Sequence, residues 1–402
     1  MIEQLWNHLT DSDLYKFTQG YAIAKRYPRA FVRYSFINRD KTPFPAGFAE
    51  ELRHQVELMS HIRLTNDEHS FLTTRCGEFL DPPYLDFLRG YQFDPREVKI
   101  EQEGGDLKIG IEGPWYRTVY YEVPLMAIIS ELYFKMVSHL NLVMRRDHID
   151  SLAEVEARAM TKAANLTKAG CQFADFGTRR RYSLDVQSTV VKTFVQKFGS
   201  VPCFKFIGTS NVYLAMLYNT KPTGTQAHEF FSFHAAKYGF RMANSMALGR
   251  WVDVFGGNLG IALSDTFTTQ DFLRSFDVFY ANLFNGVRQD SGCPFEFGEK
   301  IITHYNKLGI DPLTKTIVFS DNLNVKKAIE IQQRFEGRIK VSFGIGTHFS
   351  NDTGVKPLNM VIKMTEAKID GSWVPTIKLS DDPGKWTGDP KTIALAKQTL
   401  GV

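Results

Sequence analysis

Clusters of small, hydroxyl-bearing and charged residues follow or separate short apolar runs in the second half of the chain. In order they are Gly208-Thr-Ser-Asn, Gly224-Thr-Gln-Ala-His, Ser264-Asp-Thr, Arg288-Gln-Asp-Ser-Gly, Ser320-Asp-Asn and Gly344-Ile-Gly-Thr-His. Backbone amides, hydroxyls and charged side chains of this kind bind anions. A turn or a helix cap would account for any one cluster, but six in succession predict an anion-binding mouth.

An arginine-rich stretch, Asp175-Phe-Gly-Thr-Arg179-Arg180-Arg181, stands before these clusters. Three adjacent guanidinium groups beside an aromatic ring are costly to bury without anionic partners. The planar fork of arginine suits phosphate and carboxylate groups. The stretch therefore predicts a phosphate or carboxylate clamp, with a solvated basic turn as the alternative.

The cluster Gly344-Ile-Gly-Thr-His-Phe is the best phosphate candidate. Its two glycines allow close approach of the backbone to an anion, and the Thr347 hydroxyl adds a donor. A plain glycine turn is the alternative. Phe349 occupies the position of the third glycine in a dinucleotide fingerprint, and neither a G-x-x-x-x-G-K-[ST] nor a G-x-S-x-G motif occurs. The sequence therefore indicates neither a Walker-type ATPase nor an α/β-hydrolase.

His228, in Gly-Thr-Gln-Ala-His-Glu, is a candidate for proton transfer or nucleophilic catalysis. A zinc site would need a second histidine four residues away, and the next histidine, His234, is six away. A structural or exposed histidine is the alternative. The position predicts a nucleophile or general base at a strand end.

The elements that must position these groups lie between about residues 200 and 365, where apolar runs alternate with amphipathic helices. The runs are Cys203-Phe-Lys-Phe-Ile, Leu259-Gly-Ile-Ala-Leu, Thr316-Ile-Val-Phe, Ile339-Lys-Val-Ser-Phe and Met360-Val-Ile-Lys-Met. They predict buried parallel strands with crossover helices, in a barrel rather than an open sheet. In a parallel barrel the polar clusters would converge at the carboxyl face.

The chain before residue 150 has another character, with short alternating strands such as Phe31-Val-Arg-Tyr-Ser-Phe-Ile. A capping box formed by Ser151 and Glu154 then opens a helix. We therefore predict an N-terminal α/β domain over residues 1–150, which residues 371–402 join, and an α/β barrel with the active site over residues 151–370.

Composition excludes several classes of protein. The 402 residues include 32 Phe, 16 Tyr and 5 Trp, too many aromatic residues for a disordered chain. The longest apolar run, near residue 125, is too short to span a membrane. A net charge of +4 is too small to indicate nucleic acid. Four scattered cysteines and a first segment without a basic region predict a cytoplasmic protein without disulfides.

Together these strings resemble the nicotinate phosphoribosyltransferases, which are type II phosphoribosyltransferases. The resemblance begins at Leu9-Thr-Asp-Ser-Asp-Leu-Tyr15-Lys, passes through the arginine-rich stretch and the clusters at His228, Arg288 and Gly344, and ends at Lys378-Leu-Ser-Asp-Asp-Pro-Gly-Lys385. It covers almost the whole chain and implies an irregular (β/α) barrel with an N-terminal α/β domain.

The resemblance also implies a reaction. Nicotinate and 5-phosphoribosyl 1-diphosphate give nicotinate mononucleotide and diphosphate, which is the first step of NAD salvage from nicotinic acid. ATP hydrolysis, a transient phosphohistidine at His228 and Mg²⁺ near Asp290 and Asp321 are expected. A homodimer with shared active sites is expected too, with Tyr15 from the partner subunit and Phe176 enclosing the pyridine ring.

The resemblance assigns the site residues by matching motifs. The catalytic residues are His228 and Asp290. The nicotinate-binding residues are Tyr15, Phe176, Arg179, Ser210, Thr225 and Arg288. The residues for the phosphoribosyl and diphosphate groups are Arg180, Ser320, Asp321, Asn322, Gly344, Gly346, Thr347 and Lys385.

Ser210 bears on the choice of base. Nicotinamide-specific relatives of this fold carry a carboxylate at the matching position, whereas a serine hydroxyl can donate to the carboxylate of nicotinate. The alternative is that Ser210 caps the following helix. Rival functions are a nicotinamide-specific enzyme of the same fold, a phosphosugar isomerase or aldolase, for which no acid–base pair or Schiff-base lysine is identifiable, and a catalytically silent nucleotide-sensing barrel.

Overall fold

The structure is a computed structural model that describes residues 2–144 and 151–402. The predicted domain boundary at residue 150 lies outside the described residues. The helices are α1 (Leu14–Arg26), α2 (Phe48–Met59), α3 (Asn66–Cys76), α4 (Pro82–Gly90), α5 (Trp115–Thr118), α6 (Glu122–Met144), α7 (Leu152–Lys168), α8 (Leu184–Phe198), α9 (Val212–Leu217), α10 (His228–Tyr238), α11 (Phe240–Phe255), α12 (Thr269–Ser275), α13 (Val278–Leu283), α14 (Pro294–Lys307), α15 (Val325–Phe335), α16 (Thr347–Ser350) and α17 (Pro390–Leu400).

The structure describes twelve strands, of which eleven form two sheets. The strands are β1 (Phe31–Asn38), β2 (Val98–Glu103), β3 (Asp106–Pro114), β4 (Phe173–Asp175), β5 (Phe206–Thr209), β6 (Gly256–Leu259), β7 (Ile261–Leu263), β8 (Gly286–Gln289), β9 (Thr316–Phe319), β10 (Lys340–Ile345), β11 (Met360–Ile369) and β12 (Ser372–Pro375). One sheet has the order β5-β4-β10-β9-β8-β7, the other has the order β12-β11-β1-β3-β2, and β6 belongs to neither.

The six-stranded sheet is parallel throughout, as the apolar runs predict. Its strands are short and buried on both faces, because helices cover the outside. Phe173, Ile317, Phe319 and Phe343 are fully buried in it. The carboxyl ends of these strands therefore lie at one rim, followed by the polar clusters.

Residues 221–226, the closing segment, fill the gap between the edge strands β5 and β7. On one side Thr209 bridges Pro222 in parallel fashion, and the Thr223 amide donates to the Thr209 carbonyl at 2.9 Å. On the other side the Leu263 amide donates to the Gln226 side-chain oxygen at 3.0 Å. A side chain thus completes the wall in place of a strand, which is why the barrel is irregular.

The five-stranded sheet is antiparallel and corrects one prediction. The run at Met360 forms β11, which pairs antiparallel with β1 from Phe31 opposite Lys368 to Asn38 opposite Met360, so it is not a strand of the barrel. The physical reason is that the strand continues beyond the apolar run into the partly exposed residues Thr365 and Glu366. Such half-exposed strands suit an antiparallel sheet.

Residues 371–402 contact both parts of the molecule. Strand β12 extends the antiparallel sheet beside β11. Helix α17 instead lies against the barrel, where the Arg274 guanidinium donates to the Leu400 carbonyl at 2.7 Å. None of the helices within residues 2–144 and 151–402 combines the length and the hydropathy needed to cross a bilayer.

The predicted capping box is present at the start of α7. The Ser151 amide donates to the Glu154 carboxylate at 2.7 Å, and the Ser151 hydroxyl accepts from the Glu154 amide at 3.4 Å. Both contacts satisfy amides that the first helical turn leaves without partners. The helix then packs its buried face, with Val155, Ala159 and Leu166, toward the core.

Candidate active site

A cavity of about 700 Å³ lies between the carboxyl rim of the barrel and the antiparallel sheet. All of the site residues predicted from the sequence line it, so the structure brings them to one place. They are Tyr15, Phe176, Arg179, Arg180, Ser210, Thr225, His228, Arg288, Asp290, Ser320, Asp321, Asn322, Gly344, Gly346, Thr347 and Lys385. Their individual roles stay predictions.

His228 is the first residue of α10 and lies among charged groups. Its Nε2 atom is 2.9 Å from an Asp290 carboxylate oxygen and 2.9 Å from the Lys378 ammonium nitrogen. One nitrogen cannot donate to a carboxylate and accept from an ammonium at the same time. The two contacts therefore belong to different tautomers, and in either one Nδ1 has the Thr266 hydroxyl as a partner at 3.0 Å.

Burial and the nearby Lys378 ammonium lower the pKa of His228 to about 4. The imidazole is therefore neutral at pH 7 and keeps a lone pair, as a nucleophile requires. Burial opposes the charged form of Asp290, but the Arg288 guanidinium and His228 outweigh it, and the pKa of Asp290 is lowered well below its ordinary value. The site thus pairs a neutral histidine with an ionised carboxylate.

Arg288 is the third residue of β8, and its side chain is fixed by the closing segment. Its guanidinium donates to the Thr225 hydroxyl and, at 3.1 Å, to the Gln226 carbonyl, and it lies 3.3 Å from Asp290. The remaining donor, Nε, is buried and has no hydrogen-bond partner in the part of the chain that the structure describes. An unsatisfied buried donor is costly, so this group is suited to an anionic ligand.

The side chains of the three adjacent arginines contact different partners within the protein, so the alternative of a solvated basic turn is wrong. Arg179 lies 3.4 Å from Glu122 and 3.8 Å from Asp13. Arg180 donates to a backbone carbonyl at 3.0 Å, and burial together with Arg179 lowers its pKa to about 10. Arg181 is buried away from the cavity in a two-pronged pair with Asp11, both contacts 2.7 Å long.

Ser210 is not the cap of the following helix, because Asn211 takes that role through a contact with the Leu214 amide. The Ser210 hydroxyl instead donates to Asp13 at 2.7 Å. Burial raises the pKa of Asp13, although Arg179 and Ser210 act in the opposite direction. The serine therefore stabilises a buried carboxylate in the wall of the cavity.

If the cavity takes nicotinate, as the resemblance implies, replacing Ser210 by aspartate should lower kcat/KM for this base by one to two orders of magnitude, roughly 1.4–2.8 kcal/mol. The new carboxylate would repel the carboxylate of nicotinate, because a nearby like charge disfavours the charged form of a buried group. The measurement is a side-by-side assay with nicotinate and nicotinamide. Ser210→Ala is the control for the lost hydroxyl alone, and equal nicotinate efficiency in parent and aspartate variant would refute the role of Ser210.

Gly344 and Gly346 make room for an aromatic ring. A side chain at Gly344 would meet the Phe176 ring at 2.4 Å, and one at Gly346 would lie 3.0 Å from the Phe176 carbonyl. Both glycines also line the cavity. Their small size therefore positions Phe176, in addition to any contact with a phosphate.

Tyr15 lines the cavity of its own chain, and a contribution of this residue from a partner subunit stays a prediction. Its hydroxyl donates to Glu122 at 3.1 Å. The preceding residues are tied to the barrel, since Asp13 bridges Asn211 and the Leu14 amide donates to the Ser210 carbonyl at 2.8 Å. Local strand pairing thus brings this ring to the site of its own chain.

The acidic residues expected near Mg²⁺ are differently placed. Asp321 pairs with the Lys385 ammonium. The ligand atoms of His228, Asp265 and Asp290 lie within 4.8 Å of one another. One Asp265 oxygen is buried without a hydrogen-bond partner among the described residues. This free oxygen and the carboxylate of Asp290 are the kind of ligand that a hard cation such as Mg²⁺ prefers.

Several cavity residues escaped the sequence analysis. They are Asp13, Arg39, Glu122, Glu229, Lys363 and Lys378 in the wall, with Lys16 and Asp265 directly behind it. Asp13, Lys16, Asp265 and Lys378 lie within the motifs quoted above, so these motifs could have indicated them as site residues. Glu229 and Lys363 lie in quoted strings too, directly after His228 and inside the run at Met360. Nothing in the sequence marks Glu122, which is the first residue of α6.

Comparison with known proteins agrees with this geometry. The model of the nicotinate phosphoribosyltransferase (NAPRTase) N-terminal domain matches residues 10–130, and that of the NAPRTase family matches residues 171–402. A nicotinate phosphoribosyltransferase of Chromohalobacter salexigens is 50% identical over 395 residues, which are 98% of each chain.

Solved structures give the same result. The crystal structure of nicotinate phosphoribosyltransferase from Porphyromonas gingivalis has a TM-score of 0.93 at 41% identity and covers 99% of this chain and 100% of that chain. A putative nicotinate phosphoribosyltransferase from Saccharomyces cerevisiae has a TM-score of 0.92 at 34% identity, with 100% and 99% covered. The chain therefore belongs to the nicotinate phosphoribosyltransferase family.

Proposed function

We propose that this cavity transfers the phosphoribosyl group of 5-phosphoribosyl 1-diphosphate to nicotinate, and that a phosphoryl group carried briefly by His228 couples the transfer to ATP hydrolysis. The observation that carries the proposal is a buried, neutral histidine 2.9 Å from an ionised Asp290, in one cavity with Arg288 and the arginine-rich stretch. The nicotinamide-specific and silent-barrel alternatives are then outcomes of the assays below.

The chemistry of transfer matches the charges in the wall. Diphosphate leaves the anomeric carbon of ribose while positive charge develops there, and the pyridine nitrogen forms the new bond. The cations Arg180, Lys378 and Lys385 line the cavity, where their charge can stabilise the departing oxygens. Phe176 and Tyr15 offer ring faces to the pyridine.

Arg288 is the proposed partner of the nicotinate carboxylate. Its Nε–H is buried without an acceptor among the described residues, whereas Arg179 already lies near both Glu122 and Asp13. A carboxylate ligand would satisfy the free donor of Arg288 with a charge-assisted hydrogen bond. Nicotinamide would bring no negative charge to this position.

The proposed first step is phosphoryl transfer from ATP to His228. In the tautomer whose Nδ1–H donates to Thr266, the Nε2 lone pair forms a bond to the γ-phosphorus of ATP, and the bond from that phosphorus to the bridging oxygen breaks to release ADP. The Lys378 ammonium stabilises the added negative charge. When bound, Mg²⁺ would be held by Asp265 and Asp290 and would neutralise phosphate charge. Water later cleaves the phosphohistidine.

The deciding experiment measures nucleotide formation from nicotinate or nicotinamide, each with 5-phosphoribosyl 1-diphosphate, with and without ATP. We expect turnover of nicotinate, stimulation by ATP and little reaction of nicotinamide. Preference for nicotinamide would establish the nicotinamide-specific alternative. Binding without turnover of either base would establish the silent barrel. We also propose a reducing, cytoplasmic location, which the four free thiols support.

Because Tyr15 and His228 line the cavity of one chain, we propose that the site is complete in one chain even if two copies associate. A mixture of Tyr15→Ala and His228→Ala proteins should therefore regain no ATP-stimulated activity. If the sites were shared in a dimer, random exchange would restore about a quarter of the parent activity. The measurement is the ATP-stimulated rate after co-refolding, with parent protein refolded alone as the control.

A further inference from the structure

Lys16, the second residue of α1, is a buried cation between two carboxylates. Its side chain is completely inaccessible to solvent, and its ammonium lies 2.7 Å from Glu122 and 2.8 Å from Glu229. Burial would lower the pKa of Lys16, but Glu122 and Glu229 outweigh it, and the pKa lies above its ordinary value. Lys16 therefore stays charged and bridges both acids.

One of these carboxylates belongs to the wall of the proposed nicotinate pocket. Glu122 accepts from the Tyr15 hydroxyl at 3.1 Å and lies 3.4 Å from the Arg179 guanidinium. Burial opposes its charged form, but the cations led by Lys16 outweigh burial and lower the pKa of Glu122. The position of Glu122 thus sets the positions of a ring and a cation in that pocket.

The other carboxylate belongs to the first turn of the helix that carries the histidine. Glu229 follows His228 directly in α10. Its second oxygen accepts from the Tyr34 hydroxyl at 3.1 Å and from the Trp115 indole at 3.0 Å. Glu229 is therefore held on both sides, and a shift of residues 228–229 would change its contact with Lys16.

We propose that Lys16 is a positioning residue that couples the state of His228 to the affinity for nicotinate through the contacts Glu229–Lys16–Glu122. The inference rests on the proposed phosphorylation of His228. A phosphoryl group on His228 adds negative charge at the residue next to Glu229 and repels the Glu229 carboxylate. Since one ammonium serves both carboxylates, any change at Glu229 alters the hold on Glu122, Tyr15 and Arg179.

The test compares the parent with the double variant Lys16→Met/Glu229→Gln, which removes one positive and one negative buried charge and so leaves no isolated ion. Glu122 keeps Arg179 and Lys363 as cationic neighbours. Two quantities are measured for each protein: the amount of acid-labile phosphoenzyme formed from ATP, and the ratio of the nicotinate KM without ATP to that with ATP.

In the parent we expect phosphoenzyme and a KM ratio of at least about 5, the lower end of ordinary coupling between sites. In the double variant we expect the same amount of phosphoenzyme and a ratio below about 2. A merely structural role for Lys16 would change stability or phosphoenzyme but would not remove the ratio at full phosphorylation. The single variant Lys16→Arg, which keeps the charge, should retain the ratio at least in part.

The outcomes separate the two proposals. A parent without phosphoenzyme would refute the proposed function itself. A parent that forms phosphoenzyme but has a ratio near one, or a double variant that keeps the parent's ratio, would overturn the role of Lys16 and leave the proposed function intact. If the double variant does not fold, Glu229→Gln alone is measured in the same way, and an unchanged ratio there overturns the coupling.

Discussion

Replacing His228 by alanine should abolish the phosphoenzyme and ATP hydrolysis, while a weak, ATP-independent transfer remains. The imidazole is the proposed acceptor of the phosphoryl group, and its removal leaves Asp290, Lys378 and Asp265 in place around the vacated volume. The barrel and the base pocket do not need the ring. The effect on ATP use should therefore be complete, whereas the effect on folding should be small.

The measurement uses γ-labelled ATP and tests for phosphate on the protein that is labile to acid and stable to base. His61→Ala is the matched control, because His61 is exposed on the surface and should leave labelling unchanged. ATP-stimulated synthesis by His228→Ala would show that the phosphohistidine assignment is wrong.

Replacing Arg288 by alanine should reduce nicotinate binding or turnover by roughly 10- to 150-fold, since a charge-assisted hydrogen bond contributes about 1.5–3 kcal/mol. The guanidinium also fixes the closing segment through Thr225 and Gln226 and lies beside Asp290. The loss should appear in kcat/KM for nicotinate and much less in the ATP-dependent labelling of His228.

Arg96→Ala provides a matched control, because that arginine is 89% exposed and forms a surface ion pair with Asp94. Thermal unfolding of both variants distinguishes a lost substrate contact from a destabilised barrel. Intact kinetics in Arg288→Ala would mean that the cluster Arg288-Gln-Asp-Ser-Gly is only a turn and binds no substrate.

The sequence predicted the rim of the barrel well, because the local pattern and the chemistry agree there. Thr316–Phe319 forms a buried parallel strand, and Ser320 and Asp321 follow it directly into the cavity. The carboxyl ends of parallel strands must meet at one edge. The residues that follow the apolar runs therefore include most of the site.

The contacts that order the site could not be predicted in the same way, because they join residues far apart in the chain. Lys16 pairs with Glu122 and with Glu229, which is 213 positions later. No local period encodes such a partner. Likewise, β11 resembles a barrel strand over its first residues, and only its pairing with β1 decides which sheet it joins.

The late position of β11 in the chain has a consequence for biosynthesis. In the finished sheet β1 lies between β11 and β3, yet β1 leaves the ribosome more than 300 residues before β11 does. During that interval one side of β1 has no strand partner, and an unpaired strand edge is a template for aggregation. The same strand carries Lys363, which lines the cavity, and the Met360 carbonyl, which accepts a hydrogen bond from Arg180. Truncated or stalled chains that end before residue 360 should therefore depend strongly on chaperones, and no nascent chain can complete the cavity until β11 has been synthesised.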